Sequence, residues 1–296
     1  MIHIKRLVSL ILILATLLPL VGCQQVEAVQ IAATTLPVYD FTSALCKNTD
    51  LKVVQLITEE VSCLHDYTLQ VSQTKILEQA ELVVVSGAGL ETFLPDIDDG
   101  KMIDASVGIT LHDPDSGNNH THEKDDHDHH HNEDPHIWLS VQNAMVMCSN
   151  IFDGLVRQYP SHKETIERNY ANLHSKLTDL NEYAKSQLSQ ITHKELITFH
   201  DGFHYLAKSL DLSIIHAIEE ESGSEASANE LKELIMLVRE HKLPAIFIER
   251  SGSTSAADVI ARETNVPIYT LDMAMSGNSY FDAMYHNIDT LKEALE

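Results

Sequence analysis

Positive charge is scarce in this chain. Twenty Lys and Arg stand against 44 Asp and Glu over 296 residues, a formal net charge of −24 with histidine neutral. Phosphate binding needs clustered Lys and Arg, so the balance excludes a nucleic-acid partner. It also excludes docking through a polybasic patch on anionic lipid. The His-Glu-x-x-His pattern of zinc hydrolases is absent, which argues against metal-assisted hydrolysis. Cysteine is rare as well. Beyond Cys23 only Cys46, Cys63 and Cys148 remain, an odd number that cannot form a complete disulfide framework. One bridge with a free thiol, or three buried thiols, both fit. Cys63 stands two residues before His65, so a metal role is open to it, although cysteine is more often a small buried apolar residue. With 44% hydrophobic and 22% charged residues the composition is that of a folded protein. The length suits one large or two medium domains. The excess is in histidine, with 18 in all and six of them within twelve residues: His120, His122, His127, His129, His130 and His131.

Residues 1–22 have the form of an export signal. Lys5 and Arg6 precede an uncharged, apolar run from Leu7 to Val21, too short for a stable membrane span and correctly placed for a signal peptide. The Leu20-Val21-Gly22-Cys23 that follows resembles the lipobox of bacterial lipoproteins. It implies that Cys23 is lipidated, that residues 23–28 form a tether, and that the protein sits on the outer face of the cytoplasmic membrane, at the cell surface or in the periplasm.

Near-continuous apolar runs alternate with helical stretches. The runs Gln30–Thr35, Leu51–Ile57, Leu82–Ser86 and Met102–Asp104 predict one set of strands. Leu196–Phe199, Ile214–Ala217, Ala245–Glu249 and Ile268–Leu271 predict a second. Runs of this kind suit strands buried on both faces of a parallel sheet. Helices are expected at Leu36–Lys47, Gln70–Gln79, Ala226–His241 and Thr254–Thr264, the last capped by Ser253 or Thr254. From Pro160 to about Leu188, Ile166, Tyr170, Leu173, Leu177, Leu180, Ala184 and Leu188 recur every three or four residues without Gly or Pro, the mark of one long amphipathic helix. The reading is an α/β protein of two Rossmann-like lobes with mostly parallel sheets. Residues 29–159 form the first lobe, 160–190 a rigid linking helix and 191–296 the second lobe. Residues 112–134 carry almost no apolar side chain, so they predict a mobile loop within the first lobe.

In open α/β sheets ligands bind beyond the carboxyl ends of the strands. Four potential metal ligands stand at such places. His65 follows the second strand, His136 follows the loop at a helix start, His200 ends Leu196–Phe199, and Asp272 ends Ile268–Leu271. Two come from each lobe, so an ion in the interlobe cleft would meet three imidazoles and a carboxylate, a donor set that suits zinc. His204 lies one helical turn after His200 and reads as a supporting or surface group. Asp66 and Asp201 are candidate acceptors to fix the ring tautomers. The clustered loop histidines, set among acidic residues, form an auxiliary weak site that raises the local zinc concentration. Deleting His120–His131 should then remove weak binding and leave the tight site.

The chain resembles the metal-binding lipoproteins of bacterial ABC importers for zinc and manganese, in their zinc branch. The resemblance rests on His65-Asp66-Tyr67, Ser86-Gly87-Ala88-Gly89-Leu90-Glu91, Asp134-Pro135-His136-Ile137-Trp138-Leu139, Phe199-His200-Asp201-Gly202-Phe203, Leu271-Asp272, and Ser279-Tyr280-Phe281 with His286-Asn287. A His- and acid-rich loop just before Asp-Pro-His is also typical of that branch. The resemblance implies two lobes bridged by one long helix with metal between them. It implies His65, His136 and His200 as ligands, and Asp272 as the family's C-terminal carboxylate, a place that water or a glutamate takes in some members. It implies a non-enzymatic, monomeric receptor that carries Zn2+ to a membrane permease driven by an ATPase. A manganese-specific member of the same class, a surface adhesin of the same fold and a zinc hydrolase are the competing readings. Two departures affect the loops. Val61-Ser62-Cys63-Leu64 precedes His65 where Gly-x-Asp-Pro is common, and Glu249-Arg250-Ser251 replaces the usual Glu-Pro-Gln.

Overall fold

The structure is a computed structural model and describes residues 29–59, 64, 67–112, 133–218 and 226–296. The leader, Cys23, Cys63, His65, Asp66 and the six clustered histidines lie outside the described residues.

Among the described residues, two four-stranded parallel sheets organise the molecule. The first contains β1 (Ile31–Ala33), β2 (Val53–Gln55), β3 (Leu82–Val85) and β4 (Met102–Asp104) in the order β2-β1-β3-β4. The second contains β5 (Glu195–Thr198), β6 (Ser213–Ala217), β7 (Ile246–Glu249) and β8 (Ile268–Leu271) in the order β6-β5-β7-β8. All described strand pairs are parallel. Each order reverses between its two central strands, which opens a crevice at their carboxyl ends. The strands are shorter than their apolar runs. Leu56 and Ile57 are buried beyond β2, so apolar character continues where the strand has stopped.

Among the described residues eight α-helices cover the sheets: α1 (Leu36–Leu45), α2 (Val71–Gln79), α3 (Val141–Gln158), α4 (Lys163–Leu188), α5 (His204–Ser209), α6 (Ala228–His241), α7 (Ser255–Thr264) and α8 (Tyr280–Leu295). Local chemistry sets their ends. Pro37 lies in the first turn of α1, where its missing N–H costs nothing. Ser227 and Glu230 form a reciprocal capping box on α6. Asn265 closes α7 in the left-handed conformation. Thr254 occupies the N-cap of α7 but makes no side-chain cap bond there.

The long helix α4 follows a 3-10 turn at Pro160–His162 and buries Ile166, Leu173, Leu177, Leu180, Ala184 and Leu188 on one face. These six belong to a single apolar core that also contains Ile31 and Phe41 of the first lobe and Phe247 and Leu271 of the second. The C-terminal chain crosses back over this core. Trp138 donates its indole N–H to the Met273 carbonyl at 2.7 Å. The Tyr280 hydroxyl donates to the Trp138 carbonyl at 2.9 Å, and the Tyr280 backbone N–H to Asp40 at 2.7 Å. The lobes are therefore joined by a helix, a shared core and a hydrogen-bonded strap. Cys46 and Cys148 are free, buried thiols, and burial pushes the Cys46 thiol up to about 12.

Candidate metal centre

His136 follows the short Asp134-Pro135 step and precedes a single 3-10 turn, Ile137–Leu139, with α3 starting only at Val141. It caps that turn rather than opening the main helix. The Asp134 carboxylate folds back on it. One oxygen, Oδ1, accepts the His136 backbone N–H at 2.9 Å and lies 2.8 Å from ring Nδ1. A carboxylate facing Nδ1 makes that nitrogen the donor and leaves Nε2 as the metal-facing atom. Asp134 is itself held. Its N–H donates to the His112 carbonyl at 3.0 Å, and its carbonyl accepts from the Tyr205 hydroxyl at 3.1 Å. The same hydroxyl accepts the His112 N–H at 2.9 Å. His112 and Asp134, on either side of the histidine-rich tract in sequence, are thus pinned together beside His136.

His200 lies just beyond β5. Its Nδ1 faces Glu249 Oε2 at 3.6 Å. Glu249 ends β7 and is buried, and burial with the neighbouring Asp272 charge raises its carboxyl to about 8. The chain turns away at Gly202, where only a hydrogen fits. A Cβ there would stand 2.7 Å from His200 Cδ2 and 2.8 Å from its Nε2.

The rings of His136 and His200, one from each lobe, have centroids 5.3 Å apart and planes at 84°. Two imidazoles on one tetrahedral zinc, at Zn–N of about 2.0–2.1 Å, place their centroids roughly 5 Å apart. The pair is therefore spaced for a shared ion. Asp272 follows β8 directly, with its carboxylate nearly buried. Its Oδ1 accepts the Ala274 N–H at 2.7 Å, and its Oδ2 pairs with Arg250 Nη1 at 3.0 Å. Asn287 brackets its backbone, accepting the Asp272 N–H and donating to its carbonyl, each at 2.7 Å. Among the described residues no three His, Cys, Asp or Glu side chains converge tightly enough to enclose an ion; His65, the third predicted imidazole, is outside them.

One predicted ring acceptor, Asp201, needs correction; the other, Asp66, lies outside the described residues. Asp201 bonds His204, three residues on, and not the His200 ring. The backbone turns at Gly202 and starts α5 at His204, which leaves Asp201 ahead of the helix with its carboxylate on the first residue of that helix. The acceptor in place for His136 is Asp134, and the carboxyl facing His200 is that of Glu249, both of which the sequence reading passed over. Each had a visible signal, one carboxylate two residues before a candidate ligand and another closing an otherwise apolar strand. Elsewhere Glu91, in the Ser86–Glu91 motif, accepts from Thr34 Oγ1 at 2.6 Å and from the Ser86 and Gly87 N–H groups at 2.7 and 3.0 Å. Burial raises it to about 7, and it fixes the loop after β3 from inside.

The model of the family described as zinc-uptake complex component A, periplasmic (ZnuA) matches residues 31–294. The high-affinity zinc uptake system protein ZnuA of Bacillus subtilis is 30% identical over 286 residues, covering 91% of this chain and 88% of that protein. The zinc-binding lipoprotein AdcA of Streptococcus pneumoniae is 29% identical over 307 residues; the match takes in 98% of this chain but only 61% of AdcA. The Zn(II)-bound ZnuA-like domain of AdcA superposes with a TM-score of 0.74 at 27% identity, covering 90% of this chain and 98% of that domain. The manganese ABC transporter substrate-binding lipoprotein PsaA of Streptococcus anginosus is 26% identical over 98% of this chain and 99% of that protein. With the family model spanning nearly the whole described fold, this chain belongs to the ZnuA family of periplasmic zinc-uptake components.

Proposed function

We propose that the protein is a non-enzymatic receptor that captures Zn2+ outside the cytoplasmic membrane and delivers it to the permease of an ABC importer, with an ATPase powering transport. The observation that carries this reading is the His136–His200 pair, contributed by different lobes with centroids 5.3 Å apart. Both rings turn Nδ1 to a carboxylate. Nitrogen-rich donors of this kind suit zinc better than manganese. His65 supplies the third imidazole in this reading and Asp272 the carboxylate. Lipidated Cys23 tethers a monomeric receptor to the membrane. The histidine-rich tract collects zinc weakly and raises its local concentration for the cleft. Imidazole must be neutral to bind, so affinity falls as pH drops below about 6.5.

Calorimetry on the metal-free mature protein tests the assignment. Zinc should bind tightly at one site and manganese more weakly. His65→Ala, His136→Ala and His200→Ala should each weaken zinc binding by about 100-fold or more, at least the upper end of what outer-shell changes do. Tight zinc binding indifferent to all three substitutions would overturn the site.

A further inference from the structure

Asp272 is presented to the cleft already engaged. Both carboxylate oxygens have partners, Ala274 N–H on Oδ1 and Arg250 on Oδ2. Its backbone is fixed by Asn287 on both sides. Arg250 follows β7, whose Glu249 is the register partner of Leu271 on β8, so the parallel ladder carries Arg250 alongside Asp272. The Arg250 N–H donates to the Leu271 carbonyl at 3.0 Å. Its side chain is half-exposed, whereas the carboxylate it holds is 6% exposed. A guanidinium is permanently charged and hydrogen-bonds in a fixed fork. It therefore draws off part of the negative charge that a hard cation would use, and it restricts how the carboxylate can turn.

We propose that Arg250 is a specificity-determining residue, which sets the zinc-over-manganese preference of the cleft by restraining the Asp272 carboxylate, so that it reaches the ion as a single weak oxygen donor. The proposal rests on the zinc-receptor reading above and deepens it. Zinc is satisfied by imidazoles and completes four-coordination with a weak oxygen donor or water. Manganese depends on carboxylate oxygen. Weakening that carboxylate as a donor therefore costs manganese far more than zinc.

Dissociation constants for zinc and for manganese, each measured by competition with a chelator on the metal-free mature protein, provide the test. Arg250→Ala should tighten manganese binding by about 10-fold, the lower end of outer-shell effects on metal affinity, while zinc moves by no more than about 3-fold. Arg250→Lys, which keeps the charge but loses the fork, should fall between wild type and Arg250→Ala. In the Arg250→Ala background, Asp272→Asn keeps the acceptor for Ala274 N–H and should abolish the manganese gain. An unchanged zinc-to-manganese ratio in Arg250→Ala, or a gain that survives Asp272→Asn, overturns the proposal. His136→Ala measured in parallel separates the two readings. If it abolishes zinc binding while the Arg250→Ala ratio stays put, only the role of Arg250 falls. If zinc binding ignores His136→Ala and His200→Ala, both fall together.

Discussion

His136 and His200 face each other across the cleft, yet they are held in different ways. His136 has a side chain 9% exposed, and one Asp134 oxygen grips both its backbone N–H and its ring at under 3 Å. Its clamp is local, two residues away in sequence, and Tyr205 braces it from the other lobe. His200 has a side chain 21% exposed and faces its carboxylate at 3.6 Å, beyond hydrogen-bond range. That carboxylate comes from a different strand. The difference teaches that one imidazole is set by a short clamp from its own loop, while the other faces a longer contact from another strand.

Substitutions can break this contrast. The largest effect is expected from Asp134→Asn, which should weaken zinc by about 10- to 100-fold because the gripping oxygen fixes both tautomer and ring angle. Glu249→Gln should cost less than Asp134→Asn in the same titration; equal losses would mean the two rings are equally constrained. Next comes Gly202→Ala, whose Cβ would press on the His200 ring and on Met273 Cε at 2.6 Å. If His200 is adjustable, the ring yields, zinc affinity falls by about 10-fold, and thermal stability drops by less than the 1–3 kcal/mol typical of overpacking. A full overpacking penalty in the metal-free protein would show His200 to be as rigid as His136.

The smallest effect concerns pH. Burial, and then Asp272, raise Glu249 from its ordinary 4.5 to about 8, so the folded chain binds a proton that the unfolded chain has released. This group's contribution to stability is therefore present below pH 4.5 and lost as pH rises toward 8. Glu249→Gln should flatten that part of the decline in metal-free thermal denaturation between about pH 5 and 8. An unaltered slope would mean that His200 faces an ionised carboxylate, which would bring its restraint closer to that of His136.

The sheets were legible because strands buried on both faces leave apolar runs with little ambiguity. β4 and β8 coincide with their predicted spans. The run Leu51–Ile57 shrinks to Val53–Gln55, because apolar burial and strand pairing are separate demands and only the first leaves a trace in composition. The α4 face was legible for the same reason, through its period. What was obscure is which carboxylate meets which ring. Asp201 sits next to His200 in sequence, yet the turn at Gly202 sends it to His204. Glu249 is 49 residues from His200 in the numbering and adjacent in space, because β5 and β7 are neighbours in the sheet. Contacts of that kind follow from strand order, which pattern alone does not encode.

The strap formed by Trp138, Met273 and Tyr280 bears on how cargo leaves. Swinging the lobes apart like a clamshell would break its three hydrogen bonds, each contributing about 1 kcal/mol, and wet an indole and a phenol ring that are now fully buried. Asp272 immediately precedes Met273, so the strap also tethers one wall of the cleft to the opposite lobe. Discharge of an ion is therefore directed toward movement of single side chains and rim loops against a stationary frame. Arg250, half-exposed at the rim, is the piece of the cleft that can move without prying the halves open.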